Sequence, residues 1–359
     1  MIIKSLKLDR FRNYDTLKLE FDTGTNIFYG DNAQGKTNIL EAIYLCGTTK
    51  SHRGSKDREM IQFQQEEAHI CMGILKNHAQ IQVDMHLKKN KAKGIAINGV
   101  PIRKASELFG IANFVFFSPE DLNIIKSGPA ERRRFLDLEL CQLSKIYLYH
   151  LTNYNKIIVQ RNKLLKEAAF RPEYLDILDV YDSQMVLHGT KMIEERKKFI
   201  FRINEVIRDI HDRLSGGREE LKLVYDSNVE ADCFLDQLKR NREREVHFKM
   251  STIGPHKDDV KFLIGDLDVR KFGSQGQQRT AALSLKLAEI ELVKQEIKDT
   301  PILLLDDVLS ELDSKRQRYL LDSIGAIQTF ITCTGIDDFI ENQFEINHVF
   351  HVAEGVVYE

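Results

Sequence analysis

The sequence predicts an α/β protein in two lobes: a phosphate-binding head with a mixed sheet and helices, and a mainly helical second lobe that forms a short antiparallel helical arm. Three observations carry this. A glycine-rich loop, Gly30-Asp31-Asn32-Ala33-Gln34-Gly35-Lys36-Thr37, stands near the start. A continuous apolar run ending in two carboxylates, Pro301-Ile302-Leu303-Leu304-Leu305-Asp306-Asp307, stands near the end. Between them run two long stripes of apolar residues at helical spacing. The expected boundaries are 1–126 with 246–359 for the head, and 127–245 for the helical lobe.

Residues 1–126 read mostly as strand. Ile2, Leu6 and Leu8 share one face of a period-two pattern, with Ser5, Lys7 and Asp9 on the other. Residues 17–21 alternate again, and Asn98-Gly99 between apolar residues signals a hairpin. The loop itself fits G-x-x-x-x-G-K-[ST] in full. A loop that wraps a phosphate turns its backbone N–H groups inward, and glycine permits the φ angles this needs. Lys36 suits the β and γ phosphates, and the Thr37 hydroxyl suits Mg²⁺. Thr25–Tyr29 before it is apolar and β-prone, and 37–46 reads as a helix whose N-terminus faces the anion. Strand, loop and helix are the context that the motif requires.

The middle of the chain changes character. From 130 to 170 there is no Gly or Pro, and Leu136, Leu140, Leu143, Tyr147, Leu151, Tyr154, Ile158 and Leu165 form one stripe. Arg171-Pro172 interrupts it. A second stripe runs from Leu178 to Leu214 and stops at Ser215-Gly216-Gly217, with Gly189 as a local weak point. Two helices of about 40 residues, each roughly 60 Å long, would pack antiparallel. Residues 221–225 then read as a strand, and 260–264 with 267–270 as a hairpin across Gly265-Asp266.

Phe272-Gly273-Ser274-Gln275-Gly276-Gln277-Gln278-Arg279 precedes a helix over 280–298. Ser274 suits an N-cap, and a hydroxyl, backbone N–H groups and a helix start also suit a second phosphate contact. The apolar run 301–305 reads as a strand buried on both faces of a parallel sheet. Asp306 and Asp307 follow at its C-terminal end, where open α/β sheets bind ligands. Asp306 is placed to hold Mg²⁺ and Asp307 to orient or deprotonate an attacking water. Asp also caps helices commonly; the cradle favours magnesium. Residues 329–332 and 348–352 read as closing strands.

Composition sets bounds. Hydrophobic content of 42% with 30% charged residues suits a packed globular chain. No apolar run approaches the ~20 residues that span a bilayer, and the charged N-terminus lacks a signal-peptide pattern. Five scattered cysteines without C-x-x-C point to reduced core thiols in the cytoplasm and no zinc site. Net charge is −2, so DNA binding would need a local basic surface. Candidate runs are 88–93, Arg132-Arg133-Arg134, Arg196-Lys197-Lys198 and 239–242, each of which can equally be a solvated face.

The three motifs together resemble the ABC-type ATPase heads of the structural-maintenance-of-chromosomes group, and most closely the RecF family of bacterial recombination-repair proteins. Further matching blocks are Leu8-Asp9-Arg10-Phe11-Arg12-Asn13-Tyr14, Phe117-Ser118-Pro119-Glu120-Asp121-Leu122, Arg132-Arg133-Arg134-Phe135-Leu136-Asp137, Gly254-Pro255-His256-Lys257-Asp258-Asp259, and Leu305 to Asp313 with its D-loop. The resemblance implies an ATP-dependent homodimer with two shared nucleotides, each meeting the cradle of one copy and the signature of the other. Ser274, Gln275 and Gly276 would then face the γ-phosphate on the partner's cradle, with Asp313 at the same interface. It also implies binding of single-stranded and gapped duplex DNA without sequence preference, and recombination-mediator partners that help load the recombinase. Transporter ATPases carry glutamate at the place of Asp307, a switch histidine at that of Thr334, and a glutamine loop at that of 117–120. These departures imply slow, timer-like turnover. Three rivals are a transporter ATPase subunit, the ATPase partner of a double-strand-break nuclease, and a P-loop phosphotransferase. The first is disfavoured by the absent histidine, the second by an arm too short for a long coiled coil with a zinc hook, and the third by the signature segment.

Overall fold

The computed structural model describes residues 1–168, 170–325, 327–335 and 346–359. They form two compact units, 1–121 with 289–359, and 122–288. The return to the first unit, expected at 246, comes at 289, because residues 246–288 pack with the helical unit.

The first unit holds two six-stranded sheets. One is antiparallel, in the order Tyr14–Glu20, Ile2–Phe11, Glu67–Lys76, Ala79–Lys88, Lys91–Ile97, Val100–Pro101. Its last hairpin turns through Asn98 (φ 51°) and Gly99 (φ 77°), as Asn-Gly favours. The alternation expected for 2–8 is offset at its start. Ile3, not Ile2, is fully buried, because the pairing with Glu67–Lys76 shifts register between Ile3 and Ser5.

The other sheet runs Val356–Tyr358, His348–Ala353, Thr25–Tyr29, Thr329–Cys333, Ile302–Asp306, Phe114–Phe117. All its pairings are parallel except the edge pair Val356–Tyr358 with His348–Ala353. The strand before the loop and the strand ending in Asp306 are thus separated by one strand, with their C-terminal ends on one edge. Helix Lys36–Thr48 packs against strands of both sheets. Being covered all round, it buries Ile39, Leu40, Ala42, Ile43, Tyr44, Leu45 and Cys46. Beneath the parallel sheet, Phe28 stacks on Phe350 at 4.9 Å and Phe21 meets Phe330 edge-on at 4.9 Å.

In the second unit the first apolar stripe is carried by two helices, Pro129–Leu143 and Lys145–Ala168, rather than one. Ser144 breaks it (φ −136°, ψ 110°), and its hydroxyl accepts the Tyr147 N–H at 3.1 Å, starting the next helix. Helix Leu175–Ser215 then runs 41 residues to Gly216 at φ 75°. Contacts of His150 with His188, Arg161 with Asp182 and Leu165 with Leu178 fix these two long helices as antiparallel. The helix runs unbroken through Gly189, where a Cβ would lie 2.5 Å from Phe234, so glycine permits the close packing. Leu221–Asp226 and Asp259–Ile264 pair antiparallel, and Leu267–Asp268 completes a three-stranded sheet. The last strand is shorter than expected, since Asp268 accepts the Arg270 N–H at 2.9 Å and caps helix Val269–Phe272.

None of the five cysteines forms a disulfide. Cys46, Cys141 and Cys333 are buried as expected, but Cys233 is exposed. Among the described residues no helix is long and apolar enough to cross a membrane.

Candidate nucleotide-binding site

The loop leaves the strand Thr25–Tyr29 through Gly30 (φ 144°) and enters the helix through Gly35 (φ 112°). A Cβ on Gly30 would fall 2.3 Å from the Val352 carbonyl oxygen, and one on Gly35 2.4 Å from the Asn13 amide, so both places admit only glycine. Helix Lys36–Thr48 starts with no side-chain cap and no acidic residue in its first turn. Its N-terminal backbone N–H groups are therefore unclaimed by side chains, which is how a helix start binds an anion. Lys36 is buried, and its ammonium donates to the carbonyls of Gly30 at 2.6 Å and Asp31 at 2.7 Å. Burial lowers its pKa, against the pull of Asp307, Cys333 and Asp306. Asp31, Asn32 and Ala33 are exposed, and Gln34 accepts the Glu354 N–H at 2.6 Å.

Thr37 donates to Asp306 at 2.7 Å, which joins the two motifs across 269 residues of chain. Burial pushes the Asp306 carboxyl up, opposed by hydrogen bonds from Thr37 and Thr332. A hydroxyl and a carboxylate meeting at the head of a phosphate cradle form an oxygen donor pair that fits a hard divalent cation such as Mg²⁺. Asp307 follows at φ 53°, its N–H held by the Thr332 hydroxyl at 3.0 Å. That left-handed backbone turns the chain off the strand end. Phe117 and Thr334 end or follow neighbouring strands on the same edge, and Thr334 is exposed.

The signature segment lies in the other unit. Helix Gln275–Ile297 starts five residues earlier than expected, because Ser274 caps it. The Ser274 hydroxyl accepts the Gln277 N–H at 3.2 Å, while Gln277 takes the Ser274 N–H at 2.8 Å. The serine's own O–H is spared by this arrangement. Ser274, Gln275 and Gly276 are exposed. A Cβ on Gly276 would meet only the Ser274 hydroxyl, at 3.9 Å. Nothing among the described residues requires glycine there, so the open surface is available to an outside group. Asp313 caps helix Ser314–Ile324, accepting the Arg316 N–H at 3.0 Å. That bond, with the Arg316 charge, holds its carboxyl below the usual range.

Known proteins resemble this chain along its whole length. The model of the RecF/RecN/SMC N-terminal domain matches residues 2–357. The DNA replication and repair protein RecF of Agathobacter rectalis is 60% identical over 357 residues, covering 99% of each chain. The chain belongs to the RecF family. A solved structure of the recombination mediator protein RecF with ATP, from the RecFOR pathway, is 34% identical and superposes with a TM-score of 0.93, covering 99% of this chain and 97% of that one. The SMC head bound to the C-winged helix domain of ScpA shares the fold, with a TM-score of 0.59 at 16% identity, covering 99% of this chain and 96% of that one. The architecture is thus an ABC-ATPase head with a helical arm.

Sequence reasoning gave no role at this RecF-type cradle to three residues, Thr332, Arg12 and Asn13. Thr332 donates to Asp306 at 2.7 Å while bonding Asp307, so it sets both carboxylate residues. Its signal was a polar residue at the end of an apolar strand, beside the more conspicuous Thr334. Arg12 grips Glu41 through two bonds of 2.7 Å. Glu41 is fully buried; burial pushes its carboxyl up, but Arg12 and Ser51 outweigh this and hold it below the usual range. Asn13 spans the same region, donating to Gln34 O at 3.0 Å and accepting from Asn38 at 2.8 Å.

Proposed function

We propose that this chain is an ATP-dependent DNA-binding protein of recombinational repair and replication restart, acting in the cytoplasm as an ATP-driven homodimer. The observation that carries the reading is the bond between Thr37 and Asp306, which assembles a phosphate cradle and a cation-binding carboxylate from opposite ends of the chain. Lys36 would exchange its two carbonyl partners for phosphate oxygens. Thr37 and Asp306 would hold magnesium, whose charge would offset that of the phosphates. Asp307 would orient or deprotonate water. Ser274, Gln275 and Gly276, with Asp313 nearby, would close over the nucleotide on a second copy.

A nucleotide gripped by two copies stabilises only the paired state, so its loss loosens the pair. Paired units would present a doubled surface to DNA, held through phosphates and therefore salt-sensitive and indifferent to sequence. Slow hydrolysis then acts as the timer of a clamp at single-strand gaps or junctions, where mediator proteins help load the recombinase. Fluorescence anisotropy of gapped, duplex and single-stranded DNA with and without ATP tests this. ATP should tighten binding; equal affinity in both conditions refutes it.

A further inference from the structure

The block Gly254-Pro255-His256-Lys257-Asp258-Asp259 belongs to the helical unit, whose side chains hold it at several points. Gly254 sits at φ 132°, where a Cβ would fall 2.3 Å from the Tyr154 hydroxyl. His256 bridges the Ser251 carbonyl at 3.0 Å and that hydroxyl at 2.8 Å. Asp258, fully buried, accepts from the Asn228 N–H at 2.7 Å, from Arg196 at 3.1 Å and from Tyr225. Asp259 takes both arms of Arg132, at 2.6 and 3.1 Å. Arg196 is buried and also binds the Pro255 carbonyl and Asp137, each at 2.7 Å.

The one side chain that the block exposes is Lys257, which has no ion pair among the described residues. Arg133 donates one N–H to the carbonyl of the next residue, Asp258, at 2.7 Å; it forms no ion pair among the described residues, although Asp259, Asp258 and Asp137 attract its charge. The cluster sets four cations (Arg132, Arg133, Arg196, Lys257) against three carboxylates (Asp137, Asp258, Asp259), leaving one positive charge, at its exposed end. Buried charge networks give geometry more than stability. This one holds the Arg133 guanidinium on the carbonyl of Asp258, the residue after exposed Lys257, so that the surplus positive charge can meet phosphate oxygens. The basic runs elsewhere are partly paired within the fold, although Lys91, Lys239 and Arg240 are exposed with no ion pair among the described residues. Lys88 and Lys89 pair with Glu67 and Glu66, Lys93 with Asp57, Lys197 with Glu230, and Arg242 with Asp179 and Asp182.

We propose that Arg133 and Lys257 form a contact site for a nucleic-acid backbone phosphate, resting on the DNA-binding reading above. The test is anisotropy in a salt series with ATP, on single-stranded and duplex DNA of several sequences. Lys257→Ala should weaken binding roughly threefold to tenfold whatever the sequence, with a salt slope shallower by about one; Lys257→Glu should weaken it further. Arg133→Gln, which keeps a donor for the Asp258 carbonyl, should behave like Lys257→Ala. A loss confined to one DNA form supports the site and names its source. Unchanged affinity and slope in Lys257→Glu on both forms, while the unaltered protein binds, overturns the site and leaves DNA binding standing. No binding by the unaltered protein to either form overturns both. Lys257 is exposed, so an unaltered melting temperature should accompany the loss.

Discussion

The phosphate cradle and the charge network around Arg196 are both dense in polar groups, but they leave different things open. In the cradle, the helix start has no cap, Lys36 rests on two carbonyls rather than a carboxylate, and glycines hold space clear. Around Arg196, nearly every donor meets an acceptor inside the chain. The first arrangement keeps its strongest donors for a ligand. The second uses them up to fix a turn, and exposes only the surplus. The difference separates a binding site from a brace, although both are rich in cations.

Breaking the brace should have the largest effect. Arg196→Met leaves Asp258 buried beside an apolar chain and should cost about 3–5 kcal/mol, read by thermal unfolding; a loss under about 1 kcal/mol would mean that the network is not internally committed. His256 sharpens the same point through pH. Its Nε2 faces a carbonyl oxygen and so carries the hydrogen, while Nδ1 accepts from Tyr154, which fixes the neutral ring. Burial pushes its pKa down to about 4. A histidine depressed in the folded state gives its full stability above the unfolded value near 6.5 and loses it as pH falls toward 4, by at most about 3 kcal/mol. His256→Gln should flatten that part of the stability curve; an unchanged curve would place the titration elsewhere.

In the cradle, effects should fall on activity rather than on folding. Lys36→Arg should keep ATP binding but lower turnover by roughly a hundredfold or more, because a planar guanidinium cannot take the ammonium's place. Normal turnover in that variant would remove Lys36 from its assigned role. The smallest and most discriminating change is Gly276→Ala. Alanine should be neutral or stabilise the helix start by up to about 1 kcal/mol, yet weaken ATP-linked pairing. A variant that is both stable and fully able to pair would show that the open surface at Gly276 faces nothing.

Most of the head was readable because its signals are local. Glycine spacing, an apolar strand with terminal carboxylates and Asn98-Gly99 each act within a few residues. What was missed depends on distant partners. Thr332 matters only through Asp306, and Arg12 only through Glu41. The break at Ser144 was hidden because the apolar stripe continues across it, and Ile2 was misplaced because a register shift cannot be read from alternation. The boundary near 246 failed for a similar reason. The segment after it reads as mixed strand and helix, but its side chains are claimed by Arg132 and Arg196 in the helical unit.

The central claim is that one nucleotide is gripped by the cradle of one copy and the signature of another. Sedimentation velocity with ATP on a mixture of Lys36→Ala and Ser274→Arg proteins tests it most directly. Each variant alone has no complete site, whereas a mixed pair joins the intact cradle of one to the intact signature of the other. The account predicts monomers for either variant alone and a dimer fraction in the mixture. Pairing by either variant alone, or a mixture that stays monomeric while the unaltered protein pairs, would contradict it.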